Sequence, residues 1–375
     1  MQYLTSNSHL LELLCFELNL SKFDYNVIPV SRASLGLQVI LQILRNNKQQ
    51  YLVALPAIVC QDVIIAVISS GCKPFFCDVN VKDGLVPDRE WIRARDAGVN
   101  VAIVVHIYGN IADTVGIMNI FNSKQCTVIE DAAQAFGSSL NGNLAGYAGD
   151  ISLLSFGKTK HIDAGGSGVL LIKNDTLYKK ARNYIESIVA VNRSQRLSEM
   201  GRFRLGYKNA KKQLINEGKK DGFIGLLKNY EVVLYSKLNW NHIRKANYLL
   251  QVYGDTKKDR IKKSLLWGNF LNNIGFIPVG MGAEIVPWRY TCRLPNISII
   301  EQYEFGEKIR GMGVNVSHHY IPANLFFHET QDNYLPGAKK LSREIFQFWV
   351  DQNTSIDDIK YGANVVKELI HKYEK

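Results

Sequence analysis

The sequence predicts an α/β protein with a largely parallel sheet covered by helices on both faces, followed by a smaller C-terminal α+β part. Three observations carry this. Short continuous apolar runs alternate with segments of helical periodicity from Val27 onward, the pattern of strands buried on both faces. The chain has 375 residues, 46% of them hydrophobic and 21% charged, enough for a sizeable core and for two domains. The character of the chain then changes after about Asn192, where apolar runs give way to a basic stretch.

Taken in order, Ala33–Arg45 repeats Leu and Ile at helical spacing, Tyr51–Leu55 is a short β-like run, and Asp62–Ser70 is helical again. Pro74–Val79, Val101–His106, Cys126–Glu130, Ile151–Ser155 and Gly168–Ile172 read as buried strands. Only a Gly-rich loop separates the last two, so one antiparallel or edge strand is expected there. Arg193–Lys228 holds ten Lys/Arg against three acids with scattered apolar residues. It reads as a mobile or inserted surface segment leading into a long helix, Tyr230–Tyr253. The remainder, from about Lys257, is expected to form shorter elements and to end in an amphipathic helix, Ile356–Tyr373. The expected division is 1–235 for the large part, with 193–228 as its basic insert, and 236–375 for the small part.

The net charge is +11. Such an excess points to nucleic acid, an anionic membrane or small anionic ligands. The net +7 of Arg193–Lys228 supplies most of it, with few interleaved aromatics and no recognisable nucleic-acid module, so nucleic acid is not expected. None of the six cysteines forms a C-x-x-C pair or a His/Cys cluster, so no metal site is expected. Several cysteines lie in apolar runs, as buried thiols in a reducing compartment do. No uninterrupted apolar run is long enough for a membrane span and the N-terminus lacks a signal-peptide pattern, so a cytoplasmic location is expected.

Val128–Ile172 carries the chemistry. Asp131 follows the strand CTVIE, at a carboxyl end, where α/β sheets bind ligands. A carboxylate there stabilises a protonated ring nitrogen, although a helix N-cap is the plainer alternative. Ser155 ends the strand ISLLS, and its hydroxyl can donate to an anion. Lys160, beside Gly165–Gly166–Ser167–Gly168, is a candidate Schiff-base nucleophile. Upstream, Ser31–Arg32–Ala33–Ser34 opens a helix whose N-terminal amides can bind phosphate. Carboxylate, lysine, hydroxyl and helix N-terminus together match pyridoxal 5′-phosphate (PLP).

The residues also resemble the DegT/DnrJ/EryC1/StrS family of PLP-dependent sugar aminotransferases of fold type I. Ser31-Arg32-Ala33-Ser34-Leu35 is similar to the family's phosphate-binding SGTAAL turn, and GCKPFFCDV to its GAKPVFVDV. Val105–Gly109 resembles its VHLYG, Glu130–Gly137 its EDAAQ signature, Ser155–Lys160 its SFxxxK, and His318–Pro322 its HYxP, so the likeness runs from about Val30 to Glu368. It implies that Lys160 holds the cofactor covalently and shuttles a proton. It further implies that Asp131 pairs with the pyridinium nitrogen and Gln134 touches the ring's phenolic oxygen. Ser155, with the Arg32 and Ala33 amides, would hold the phosphate, and His319 and Tyr320 would approach the substrate. The implied reaction is amino transfer from glutamate to a keto-sugar, usually nucleotide-linked, by a homodimer, in surface polysaccharide or glycoside biosynthesis.

Four features depart from the family pattern. The ring-stacking aromatic falls at Cys60, where plain packing is the competing reading. The acid after the lysine is lost in Gly165-Gly166-Ser167-Gly168. The NYR motif that reaches a neighbouring subunit's phosphate is at best Leu205–Asn209, with Lys208 in place of the Asn. The phosphate turn also comes early in the chain, so the arm before it is short. A sugar dehydratase of the same family is the alternative chemistry, disfavoured because such relatives carry histidine in place of Lys160. A non-catalytic or regulatory homologue is the alternative outside catalysis.

Overall fold

The computed structural model describes residues 8–20, 24–121, 126–189, 191–227, 234–280, 282, 284–318, 320–327 and 334–370. The elements run α1 (Ser8–Glu17), β1 (Asn26–Val30), α2 (Ala33–Arg45), β2 (Leu52–Pro56), α3 (Gln61–Ser69), β3 (Lys73–Cys77), α4 (Asp88–Asp96), β4 (Val101–Val105), α5 (Thr114–Phe121) and β5 (Thr127–Asp131). A small hairpin, β6 (Ser139–Leu140) and β7 (Asn143–Leu144), precedes β8 (Ile151–Ser155), β9 (Gly168–Ile172) and α6 (Asp175–Ser187). Then come α7 (Arg193–Glu217), α8 (Trp240–Gln251), α9 (Tyr253–Leu271), β10 (Ile277–Pro278), β11 (Tyr290–Arg293), α10 (Ile299–Gly311), β12 (Val316–His318), α11 (Pro336–Glu344), β13 (Ile345–Phe348) and α12 (Ile356–Ile370).

The large sheet has the order β1-β9-β8-β5-β4-β2-β3. Strands β3, β2, β4, β5 and β8 are mutually parallel, and β9 runs antiparallel to β8. The antiparallel strand expected at Gly168–Ile172 is therefore present, one place in from the edge. The edge itself is β1, antiparallel to β9, where Pro29 is tolerated. Val101–Val105 and Gly168–Ile172 are buried at every position, as strands covered on both faces must be. One face packs under α2 and α3. The other carries Phe156, Val169 and Leu171 against Leu14 and Leu18 near the N-terminus and against Ile243, Ala246 and Leu250 of α8.

The smaller sheet, β10-β11-β13-β12, is wholly antiparallel. Its apolar face (Tyr290, Cys292, Phe346, Phe348) packs on Trp267 of α9, Phe305 and Ile309 of α10, and Ile359 and Val366 of α12.

Three expectations are corrected. The basic stretch is a regular helix of 25 residues, α7, entered through the Asn192 cap and closed at Gly218 in the left-handed conformation (φ 68°). Its apolar residues are a stripe: Phe203, Tyr207, Ala210 and Leu214, spaced 4, 3 and 4 apart, pack toward Phe223 and Phe326. Of the helix expected over Tyr230–Tyr253, residues 230–233 lie outside the described residues and 234–239 are not helical; the helix begins at Trp240, where the Asn239 side chain accepts from Asn241 N–H (3.0 Å) and caps it. Beyond Lys257 the elements are not all short, since α9 spans 19 residues. The terminal helix is described to Ile370.

Candidate active site

The parallel strands bring their carboxyl ends to one edge of the sheet. Val30 leads into Ser31–Ser34, Pro56 toward Cys60, Val105 to Ile107, β5 ends on Asp131 and β8 on Ser155. Because β9 runs the other way, its start delivers Gly165–Ser167 to the same edge. These segments line one cavity of about 990 Å³, together with Gln134, Lys158, Lys160 and residues of α7 and α8. Ligand binding at the carboxyl edge is the rule for such sheets.

Asp131 is 7% exposed, and its Oδ1 accepts from the Ala133 amide (3.0 Å). Burial raises its carboxyl above the ordinary value, while that hydrogen bond and the charge of Lys160 pull it down. Its neighbour Glu130 faces away from the cavity and is a structural hub. Oε1 accepts from His106 Nε2 (3.0 Å) and Thr114 Oγ1 (2.8 Å), and Oε2 from the amides of Ala148 (2.8 Å) and Gly149 (2.9 Å). Burial by itself would raise the Glu130 carboxyl, but the His106 bond and these donors bring it down to about 2. The Ala112 amide donates to His106 Nδ1 (3.1 Å), so the neutral ring carries its proton on Nε2, toward Glu130. His106 is thus a satisfied core residue that supports the strand bearing Asp131.

Lys160 follows a strained joint. Thr159 has φ +66°, which a β-branched side chain resists at a cost of about 1–3 kcal/mol. Two bonds hold it: Thr159 N–H donates to Asp163 Oδ2 (2.9 Å) and Trp288 Nε1 donates to the Thr159 carbonyl (2.7 Å). The Lys160 carbonyl accepts from Nη2 of buried Arg260 (3.1 Å), whose Nη1 donates to the Trp288 carbonyl (3.0 Å). The Lys160 ammonium lies 5.5 Å from the centre of the Trp288 ring. Backbone and side chain of Lys160 are therefore both fixed by residues from far along the chain.

Gln134 accepts from the Tyr108 amide through Oε1 (3.1 Å), which leaves its NH₂ as the end available to the cavity it lines. Tyr108 also has positive φ, +64°. Among the described residues, the non-glycine positive-φ positions are asparagines except Tyr108, Thr159 and Ser167, and those three surround this site.

The start of α2 forms one end of the cavity. The Gly36 amide is the first to pair with a turn carbonyl, that of Arg32 (3.2 Å), so the preceding amides are available to a ligand. Ser31 Oγ is buried there without a hydrogen-bond partner. The Arg32 side chain is bonded to Asp62 (2.5 Å). An unpaired buried hydroxyl beside open helix amides fits a phosphate group, and Asp131, Gln134, Ser155 and Lys160 on the same cavity fit a protonated pyridine ring with an aldehyde.

The predicted residues sort clearly. Arg32, Ala33, Cys60, Asp131, Gln134, Ser155 and Lys160 line the cavity together. Burial pushes the Cys60 thiol up to about 11, so it is a neutral packing group. Tyr320 does not line the cavity; its ring meets Tyr108 edge-on at 6.4 Å. Lys208 is exposed on α7, one turn beyond Arg204, and lies off this cavity. His319 lies outside the described residues.

Among the lining or supporting residues that the sequence did not point to are Arg196, Arg204, His242 and Arg260. His242 sits where a side chain at Gly166 would go, 2.6 Å from the position a Cβ would take. The His242 imidazole therefore occupies the space that a side chain at Gly166 would need.

An α/β protein with this sheet order, and with lysine, carboxylate and phosphate-type cradle at its carboxyl edge, is of the PLP-transferase class. The chain belongs to the DegT/DnrJ/EryC1/StrS aminotransferase family, whose model matches residues 13–211. Members of this family are aminotransferases that depend on PLP. The chain is 36% identical over 126 residues to a UDP-N-acetyl-3-dehydro-alpha-D-glucosamine 3-aminotransferase of Acidithiobacillus ferrooxidans, covering 31% of this chain and 32% of that one. It is 34% identical over 113 residues to a dTDP-3-amino-3,4,6-trideoxy-alpha-D-glucose transaminase of Micromonospora megalomicea, covering 30% of each. It thus matches about a third of the length of these curated relatives. A Streptococcus pneumoniae protein assigned to the sugar aminotransferases, solved in PLP and PMP forms, superposes with a TM-score of 0.74 at 15% identity over 97% of this chain and 91% of that one.

Proposed function

We propose that this protein is a PLP-dependent aminotransferase that moves an amino group from glutamate to a nucleotide-linked keto-sugar. We place it in the cytoplasm, as a homodimer, in the biosynthesis of a surface polysaccharide or glycoside. The observation that carries the reading is that Asp131 and Ser155, at the ends of adjacent strands, share one cavity with Lys160 and the start of α2. The substrate class rests on the activities named for the partial-length relatives.

When bound, PLP supplies an aldehyde carbon that takes up an amine and a ring that delocalises the electron pair left at the substrate carbon. In this reading the Asp131 carboxylate accepts from the protonated ring nitrogen and holds the proton there; burial works against its ionised form, which the Ala133 amide and the charge of Lys160 favour. Gln134 presents its NH₂ to the ring oxygen, its carbonyl end being fixed by Tyr108. Ser31, Ser155 and the Arg32 and Ala33 amides hold the phosphate. Lys160 would hold the cofactor through its aldehyde and, when freed by the incoming amine, its Nζ would act as the base that moves the proton. Cys60 packs against the ring in place of an aromatic, and Tyr320 backs the site through Tyr108. Lys208, beside the exposed Leu205 on α7, reaches the partner subunit's cofactor phosphate, and His319 approaches the substrate. The large part (1–235) carries the cofactor, and the small part (236–375) returns α8 and Trp288 to it.

The test is borohydride reduction followed by peptide mass analysis. The expected result is a cofactor label on Lys160. In Lys160→Ala the label is absent and the glutamate half-reaction falls by about a thousandfold or more. A label on another lysine, or full turnover by the variant, overturns the assignment.

A further inference from the structure

The small sheet turns a cation away from its own core. Tyr290 and Phe348 lie opposite each other in the antiparallel ladder and point into that core, as Val316 does. By the alternation of a strand, Arg289, Trp349 and Ser317, each one residue further along, fall on the other face. There the Arg289 guanidinium lies against two indoles, 4.1 Å from the centre of the Trp288 ring and 4.8 Å from that of Trp349. Its Nη1 donates to Ser317 Oγ (2.7 Å).

Arg293, on the same strand, is bonded to Glu344 (2.9 Å), but no carboxylate bonds Arg289 among the described residues. Asp351, whose charge favours the guanidinium, is taken by the Asn353 amide (3.0 Å) and the Thr354 hydroxyl (3.3 Å). Burial lowers Arg289 to about 10, with Tyr320 and Asp351 opposing, so it keeps its charge at neutral pH. Its Nε and Nη2 make no hydrogen bond among the described residues and are not sealed from solvent. A largely buried cation with an open fork of donors is costly to keep alone, and it suits a planar anion that takes two N–H groups at once.

The surroundings of Arg289 say which anion. One indole bridges it to the reacting lysine, since the Lys160 ammonium lies 5.5 Å from the centre of the same Trp288 ring. That ring is fixed in turn by its Nε1, which donates to the Thr159 carbonyl (2.7 Å). Tyr320 lies within electrostatic reach of both Arg289 and Cys60, and Cys60 lines the cavity. In an amino acid the carboxylate is bonded to the carbon that bears the reacting amine, so the cation that holds it must stand close to the lysine. The diphosphate of a sugar nucleotide is separated from the aminated carbon by sugar atoms, and its cation would stand farther out.

We propose that Arg289 binds the α-carboxylate of the amino-acid donor and so determines that the donor is an amino acid. The proposal rests on the aminotransferase reading of the cavity. It adds the residue that recognises the donor.

The experiment uses holoenzyme of wild type, Arg289→Gln and Arg289→Lys. With the cofactor fixed by borohydride, glutarate (glutamate without its amine) and UDP are titrated calorimetrically. Without reduction, single-turnover conversion of the cofactor is followed by absorbance with glutamate and with isoglutamine, whose α-carboxylate is replaced by an amide. Arg289→Gln is expected to weaken glutarate at least about tenfold, the size of one charge-assisted contact, and to leave UDP unchanged. The reaction with glutamate is expected to fall by a similar factor and that with isoglutamine to stay as in wild type. Arg289→Lys keeps a cation between the indoles but not the fork, and glutarate is expected to weaken severalfold. Equal loss with glutamate and isoglutamine marks a merely structural role and overturns the proposal. Weakened UDP, unchanged glutarate affinity in the variants that fold, or no glutarate binding by wild type overturns it too. A borohydride label absent from Lys160 counts against the aminotransferase reading and is read separately, by mass.

Discussion

The floor and the outer wall of the cavity are built by opposite means. The floor consists of strand ends whose positions are dictated by the parallel sheet: Asp131 and Ser155 lie on neighbouring strands in fixed register, Asp131 pairing with Leu153. The wall is a helix, α7, whose place depends on one aromatic stripe meeting Phe223 and Phe326. A sheet register cannot slip by one residue without turning every side chain to the other face, whereas a docked helix can exchange its exposed face freely. The floor is thus held by the register of the sheet and the wall by side-chain packing alone.

That contrast predicts different kinetic signatures. Asp131→Asn keeps the shape of the floor but cannot hold charge against a protonated ring nitrogen. We expect kcat to fall by about 10²–10⁴-fold with KM for the sugar nearly unchanged and the cofactor still attached to Lys160. If Asp131→Asn changed KM alone, the division between floor and wall would fail.

The floor also has a foundation that takes no part in chemistry. Glu130 accepts four close hydrogen bonds in a site from which water is excluded. Glu130→Gln leaves donors without an acceptor, and we expect a loss of about 3 kcal/mol in urea unfolding at pH 7. The sign with pH follows from the depressed value. The folded carboxyl is held at about 2, below its ordinary 4.5, so its contribution is complete above pH 4.5 and is lost as pH falls through about 2. The gap between wild type and variant therefore narrows as the urea series is carried into acid. A gap independent of pH would remove Glu130 from the role of charged hub.

How much was legible follows the same division. EDAAQ and SFxxxK announce the floor because each closes a short apolar strand, and strand ends in such a sheet converge whatever lies between them. Arg260 carries no local signal: its acceptors are carbonyls 100 and 28 residues away, at Lys160 and Trp288. Its meaning exists only once the two sheets are packed. For α7 a signal was present. The spacing of Phe203, Tyr207, Ala210 and Leu214 is helical, but it is interleaved with cations, and weighing charge before periodicity made the segment look like a solvated insert. Asn239 before Trp240 was likewise a legible cap that moves the start of α8. His242 over Gly166 shows the remaining limit, since the space beside a loop glycine can be filled from an element distant in sequence.

The smallest expected effect concerns the turn of α7 beyond the cavity. Lys208 and Leu205 lie three residues apart on α7, and Leu205 is 61% exposed, an arrangement suited to contact with a second copy. If Lys208 reaches the partner subunit's cofactor phosphate, Lys208→Ala should speed PLP loss on dialysis a few-fold, as removal of one exposed, salt-screened contact would. The change should vanish at high salt, where that contact is already screened, while the loss from Lys160→Ala should not. PLP retention identical to wild type at low salt would return Lys208 to solvent.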